Sequence, residues 1–109
     1  MTTTASPRPQ IVTLCGSTRF RDELQQAFYS MQSDGLIVLA PAFPLQDDAN
    51  RGDAERKAVL DILWRHMIDL ADEVFVVNPG GYVGGSTRSE IAYAEERGKP
   101  VRYLAGSPS

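Results

Sequence analysis

The sequence predicts a small doubly wound α/β fold of the Rossmann or flavodoxin-like kind, a parallel sheet of about four strands with helices on both faces. Three observations carry this prediction. Short β-branched runs alternate along the 109 residues with longer segments whose apolar residues recur at helical spacing. The runs Ile11 to Cys15, Leu36 to Ala40 and Glu73 to Asn78 are nearly continuous in apolar character, as strands covered on both faces are. A strand, a helix and a parallel strand in succession require a right-handed crossover, which lays each helix over the sheet.

Ile11-Val12-Thr13-Leu14-Cys15 ends at Gly16 and reads as the first strand. Phe20, Leu24, Ala27, Phe28 and Met31 then share one helical face, so a helix is expected from about Thr18 to Ser33, stopped by Asp34-Gly35. Leu36 to Ala40 is the second strand, broken by Pro41, and the stretch to Asn50, with two prolines and paired aspartates, is expected to be a loop. From about Asp53 to Ala71 a helix is predicted with one apolar stripe of Val59, Ile62, Leu63, His66, Met67 and Leu70 and a second of Leu60, Trp64 and Ile68. Two stripes imply burial on two sides, one against the sheet and one in a homodimer or higher homo-oligomer. Glu73 to Asn78 is the third strand, Pro79 to Gly85 a glycine-rich loop, Thr87 to Arg97 a helix ended by Gly98, and Val101 to Leu104 the last strand. Residues 10–105 make one domain between tails, 1–9 and 106–109, that are expected to fray.

Composition narrows the function. Hydrophobic residues at 42% and charged residues at 23% are ordinary globular usage, which excludes a disordered chain, a collagen-like repeat and a long coiled coil. The longest apolar runs fall far short of the roughly 20 residues that span a bilayer, and the opening residues lack the apolar core of a secretory signal. No membrane partner is expected. A net charge of -3 exerts no general pull on a nucleic-acid polymer, so any anion must be held by local groups. The single cysteine, Cys15, excludes an internal disulfide and a Cys-rich zinc site and points to a reducing, cytoplasmic compartment. The one histidine, His66, has no second histidine or cysteine nearby, and neither a metal nor a cofactor is expected.

In doubly wound folds ligands sit beyond the carboxyl ends of the strands, an edge to which two loops here belong. The first, Gly16-Ser17-Thr18-Arg19-Phe20-Arg21, is a glycine turn followed by hydroxyls and a cation at a helix start, where free backbone N–H groups favour phosphate. Equally, Ser17 caps the helix and Arg19 is merely solvated. The loop is neither a phosphate-loop nor a dinucleotide fingerprint. Cys15 and Arg21, with five residues between them, also resemble the loop of low-molecular-weight tyrosine phosphatases, in which Cys15 would be a thiolate nucleophile and Arg21 a phosphoryl clamp.

The second loop runs from Asn78 to Glu90, and its four glycines let backbone approach a ligand closely before a helix start that holds Glu90. Spacing allows two roles for this carboxylate. It is an anion stabilised in the first helical turn, or it is the capping-box partner of Ser86 or Thr87.

The segments CGSTRF near the start, ADEVFVVN before the second loop and GGSTRSEIAYAEERGKPV after it resemble the nucleoside 2-deoxyribosyltransferase-like superfamily over about Ile11 to Leu104. That resemblance implies nucleoside deoxyribosyltransferase chemistry, or N-glycosidase chemistry on a nucleoside 5′-monophosphate. The family's nucleophilic glutamate falls at Glu90, with Ala94 and Gly98-Lys99-Pro100-Val101 in step behind it, and its phosphate loop falls at Gly16-Ser17-Thr18-Arg19. The Pro79-Gly80-Gly81 turn is also similar to the motif of Lonely Guy-type phosphoribohydrolases. Ionised Glu90 would attack C1′ as the base leaves, while phosphate held at Ser17, Thr18 and Arg19 fixes the sugar. Phe20, Phe43 and Tyr82 are expected to stack on the base or simply to pack, and Asn78, Gly81, Ser86, Thr87 and Arg88 complete the expected substrate contacts. Arg88 reads equally as a solvated cation at the helix start.

One position departs from the family. An aspartate on the second helix, which orients the substrate or protonates the leaving base, is replaced here by Trp64. Asp61, one turn earlier, is the expected substitute, with Asp69 and His66 weaker ones. The alternative to catalysis is therefore a module that binds a nucleotide and does not turn it over.

Overall fold

The computed structural model describes residues 8–40 and 54–106. Four strands, β1 (Ile11–Cys15), β2 (Ile37–Leu39), β3 (Glu73–Val76) and β4 (Val101–Tyr103), form one sheet in the order β2-β1-β3-β4. Every pairing is parallel, with Val12 opposite Val38 on one side and Glu73 on the other. Three helices connect them: α1 (Arg21–Ser33), α2 (Ala54–Leu70) and α3 (Gly85–Glu96). The small doubly wound α/β fold is the one the alternating pattern predicts.

Strand order decides which face each helix covers. The chain steps from β1 to β2, then returns across β1 to β3, so right-handed crossovers place α1 on one face and α2 with α3 on the other. Side-chain alternation along the strands divides the core accordingly. Leu14 and Val77 pack with Leu24 of α1, whereas Cys15, Val74 and Val76 pack with Ile68 of α2 and with Ile91 and Ala94 of α3. The reversal between β1 and β3 also sends the two following loops apart, which opens a crevice at the carboxyl edge.

Three polar groups tie this core together. Thr13, fully buried, donates its hydroxyl to the Met67 carbonyl at 2.8 Å and ties β1 to α2. Lys99 places its ammonium on the Asp69 and Ala71 carbonyls, where the end of α2 presents unsatisfied oxygens. Buried Glu73 accepts from Gln10 and Arg102, so its charge is compensated from both sides.

Several boundaries differ from the predicted ones. A 3₁₀ turn over Thr18–Phe20 precedes α1, which starts at Arg21 instead of Thr18. Helix α3 begins at Gly85, two residues before the expected Thr87, and this shift changes the standing of Glu90. The expected tails include two held residues, Arg8 paired with Asp72 at 2.7 Å and Gly106, whose carbonyl accepts from Asn78. The predicted loop up to Asn50, with Phe43, lies outside the described residues. On α2, Ile68 is buried and Trp64 packs on the core, while Val59, Ile62, Leu63 and Leu70 are exposed, so the two predicted stripes face opposite ways.

Candidate active site

A cleft of about 350 Å³ opens at the carboxyl edge of the sheet, between the Gly16–Thr18 loop, the middle of α2 and the first turns of α3. Gly16, Ser17, Thr18, Asp61, Trp64, Tyr82, Ser86, Thr87 and Glu90 all line it. A second groove of about 510 Å³ lies between α2 and α3 and shares Asp61, Trp64, Ser86 and Glu90 with the first. Glu90 thus stands at the junction of two open spaces, on a helix that Ile91 and Ala94 anchor in the core.

Because α3 starts at Gly85, Glu90 is its sixth residue and lies in the second turn, beyond the strongest influence of the helix N-terminus. The cap is Gly84, which makes no side-chain cap bond, so the capping-box role for Glu90 is excluded. The other expectation, an anion stabilised by the first turn, is also corrected. Burial pushes the Glu90 carboxyl up to about 8; the adjoining Cys15 thiol opposes this, the Asp61 charge adds to it and the Lys57 ammonium opposes it. At neutral pH the free protein therefore holds Glu90 mostly protonated. Its Oε1 is buried and has no hydrogen-bond partner.

Cys15 ends β1 directly beneath this carboxyl. Its side chain is 0% exposed, and its Sγ accepts the indole N–H of Trp64 at 3.4 Å. Burial first, then the Glu90 carboxyl, push the thiol far above its ordinary range. A thiolate nucleophile needs the opposite environment. Cys15 packs toward α2 and α3, whereas Arg21 opens α1, which covers the other face of the sheet.

The first loop divides its residues between packing and the cleft. A Cβ on Gly16 would come within 2.9 Å of the Val77 carbonyl oxygen, so glycine is required there by the close approach of β1 and β3. Ser17 accepts from the Arg19 backbone N–H at 3.2 Å and caps the 3₁₀ turn, the capping role the sequence allowed, while still lining the cleft beside Thr18. Arg19 lays its guanidinium 4.5 Å from the centre of the Tyr82 ring, and Phe20 meets the same ring edge-on at 5.7 Å. Arg19 and Phe20 are therefore gathered at the cleft through Tyr82 and do not themselves line it. Gly80 and Gly81, at φ 66° and 84°, form the left-handed turn that delivers Tyr82.

Other expected residues fall elsewhere. Asn78 is fully buried and accepts from the Ala105 N–H while donating to Gly106, which makes it the anchor of the chain after β4. Gly81 shapes its turn without lining the cleft, and Arg88 is exposed on α3 away from both spaces. Of the substitutes for the missing helix acid, Asp61 lines both spaces. Asp69 is held by Tyr93 and Arg97, and His66 is exposed outside the cleft. Among the described residues no group of three His, Cys, Asp or Glu side chains is placed to hold a metal.

Two contributors escape a reading by residue type. Lys57 lines both spaces and pairs with Asp61 at 3.4 Å; their four-residue spacing on one helix was the available signal. Trp64 reads as core, yet its indole nitrogen serves the sulfur beneath Glu90. No protein-family model and no curated protein matches this sequence.

Proposed function

We propose that this protein cleaves or transfers the N-glycosidic bond of a nucleoside 5′-monophosphate, with Glu90 as nucleophile. The observation that carries the reading is the Glu90 carboxyl itself: uncommitted to any cap, unpartnered at Oε1, and lining a cleft whose other wall is the Gly16–Thr18 loop. A carboxyl that stabilises its own helix would be bonded to backbone; this one serves no cap and lines the cleft. The sequence resemblance to nucleoside 2-deoxyribosyltransferase-like proteins supports the same assignment.

In this reading the phosphate lies against Gly16, Ser17 and Thr18, and Ser86 and Tyr82 border the sugar and base. Ionised Glu90 bonds to C1′ as the C1′–N bond breaks, the electron pair leaving with the base, whose nitrogen takes a proton from Asp61 or from solvent. Water or a second base then attacks C1′ and frees the carboxylate. Only about one-tenth of Glu90 is ionised at pH 7 when its midpoint is near 8. Positive charge developing on the sugar ring favours the ionised form at the moment of reaction. The exposed stripe Val59, Ile62, Leu63 and Leu70 supports a homodimer, and the lone cysteine supports a reducing, cytoplasmic location. Among the described residues no helix is long and apolar enough to cross a membrane.

Incubation with a panel of nucleoside 5′-monophosphates, with free base read by chromatography, tests the proposal. Base release by the wild type and none by Glu90→Ala is the expected result. Tight binding without base release in both proteins would replace it with a non-catalytic nucleotide-binding module, a reading that Trp64 in place of an acid favours.

A further inference from the structure

Three elements converge under Glu90: the end of β1 with Cys15, the middle of α2 with Trp64, and the second turn of α3 with Glu90 itself. The indole nitrogen is a donor and never an acceptor, so in the 3.4 Å contact with Cys15 the sulfur must accept. Its own hydrogen is then left for another acceptor. Cys15 is fully enclosed, the carboxyl it adjoins belongs to Glu90, and Oε1 of that carboxyl is buried without a partner. The thiol and the Glu90 carboxyl meet in this enclosed place, where an unmade hydrogen bond would leave the thiol hydrogen without an acceptor.

We propose that Cys15 is a positioning residue for Glu90: Trp64 orients the sulfur, and the thiol hydrogen is donated to the Glu90 carboxyl, aiming the carboxylate into the cleft and stabilising its charged form. The thiol is a neutral donor throughout and forms no bond to substrate. The other charged or titratable groups around Glu90 are Lys57, Asp61 and Arg65 from α2, Tyr93 and Glu96 from α3 and Tyr82 from the loop after β3. None of them is altered in the variants below. The kinetic half of the test rests on the glycosidase reading, whereas the spectroscopic half does not.

The chain has one cysteine, so its S–H infrared stretching band reports this thiol alone. Titrating the wild type from pH 5 to 10 is expected to move the band to lower frequency as the carboxylate forms, with a midpoint near 8, and Glu90→Gln is expected to abolish the movement. A band indifferent to pH, or one that moves equally in Glu90→Gln, would overturn the proposal. In base release, Cys15→Ala is expected to raise the pH midpoint by about 0.5–1 unit, the equivalent of one ordinary hydrogen bond, and Cys15→Ser to restore it. Equal midpoints in wild type and Cys15→Ala would likewise overturn it. Should Cys15→Ala not fold, the wild-type band decides alone. Should no nucleotide be cleaved by the wild type, the glycosidase reading falls while the thiol–carboxyl bond is still judged by the band.

Discussion

The Lys57 ammonium stands 3.4 Å from Oδ2 of Asp61, one turn along α2, and both side chains line the cleft that holds Glu90. The pair brings one positive and one negative charge to a carboxyl whose ionisation is already opposed by burial. Asp61 raises the midpoint of Glu90 and Lys57 lowers it, so the two act in opposition. Asp61→Asn is expected to lower the midpoint of the rising limb of the pH–rate profile and Lys57→Met to raise it. If Asp61 also protonates the leaving base, its loss costs about 10²-fold or more in maximal rate. A shift without a rate loss would leave Asp61 an electrostatic neighbour only.

Glu90 also links stability to pH. Its midpoint in the folded protein, about 8, lies above the ordinary 4.5, so the folded state binds a proton that the unfolded chain releases between those values. Stability contributed by this group is therefore intact below about pH 4.5 and declines as pH rises toward 8. Glu90→Gln, which cannot ionise, escapes the decline. Urea unfolding at pH 5 and pH 8.5 should show the variant gaining on the wild type by roughly 2 kcal/mol at the higher pH, a figure discounted for the partial exposure of the side chain. Parallel pH dependence in the two proteins would contradict the burial of this carboxyl.

The opposite sign is expected at Asp72. The Arg8 guanidinium, then the Ile11 N–H, hold its carboxyl at about 2, below the ordinary 3.8. Its contribution is present above about pH 3.8 and is lost as pH falls toward 2. Unfolding midpoints followed from pH 5 to pH 2 should fall less steeply in Asp72→Asn than in the wild type.

Gly16→Ala places a methyl group 2.9 Å from the Val77 carbonyl oxygen and 3.3 Å from Leu24 Cδ2. The backbone of the first loop must move, at a cost of about 1–3 kcal/mol in denaturant unfolding. Because the same loop lines the cleft, nucleotide affinity should fall as well; an unchanged affinity would mean that the loop does not touch the ligand.

Leu63, half exposed on the outer stripe of α2, should hold the proposed homodimer. Leu63→Lys is expected to convert a dimer to a monomer in sedimentation velocity. A wild type that already sediments as a monomer removes the oligomer from the proposal.

Much of this architecture was legible in the residues. Continuous apolar runs marked β1 and β3 because a strand covered on both faces has no polar side to show, and the 3.6-residue recurrence of Leu24, Phe28 and Met31 marked α1 because one stripe of it meets the sheet. The alternation of strand and helix required parallel pairing, and the two loops at the carboxyl edge followed from that pairing. Glu90, Ser17, Thr18, Asp61 and Tyr82 were brought to one cleft as expected. What sequence spacing left open was the state of each group. Whether α3 begins at Gly85 or Thr87 moves Glu90 out of the first turn, and both possibilities satisfy the same string of glycines and hydroxyls. Asn78 looked like a ligand contact and proves an anchor, since its partners, Ala105 and Gly106, lie just past the end of the neighbouring strand β4.

By itself, then, the chain's pattern of apolar and turn residues determined the elements, their order and the edge at which chemistry gathers, because those depend on local periodicity and on the handedness of crossovers. Tertiary structure alone decided that a cysteine from β1, a tryptophan from α2 and a glutamate from α3 meet, and that burial raises the pKa of the glutamate. The charge on a carboxyl depends on how much solvent its neighbours exclude, and those neighbours come from 26 and 75 residues away in the chain, at Trp64 and Cys15.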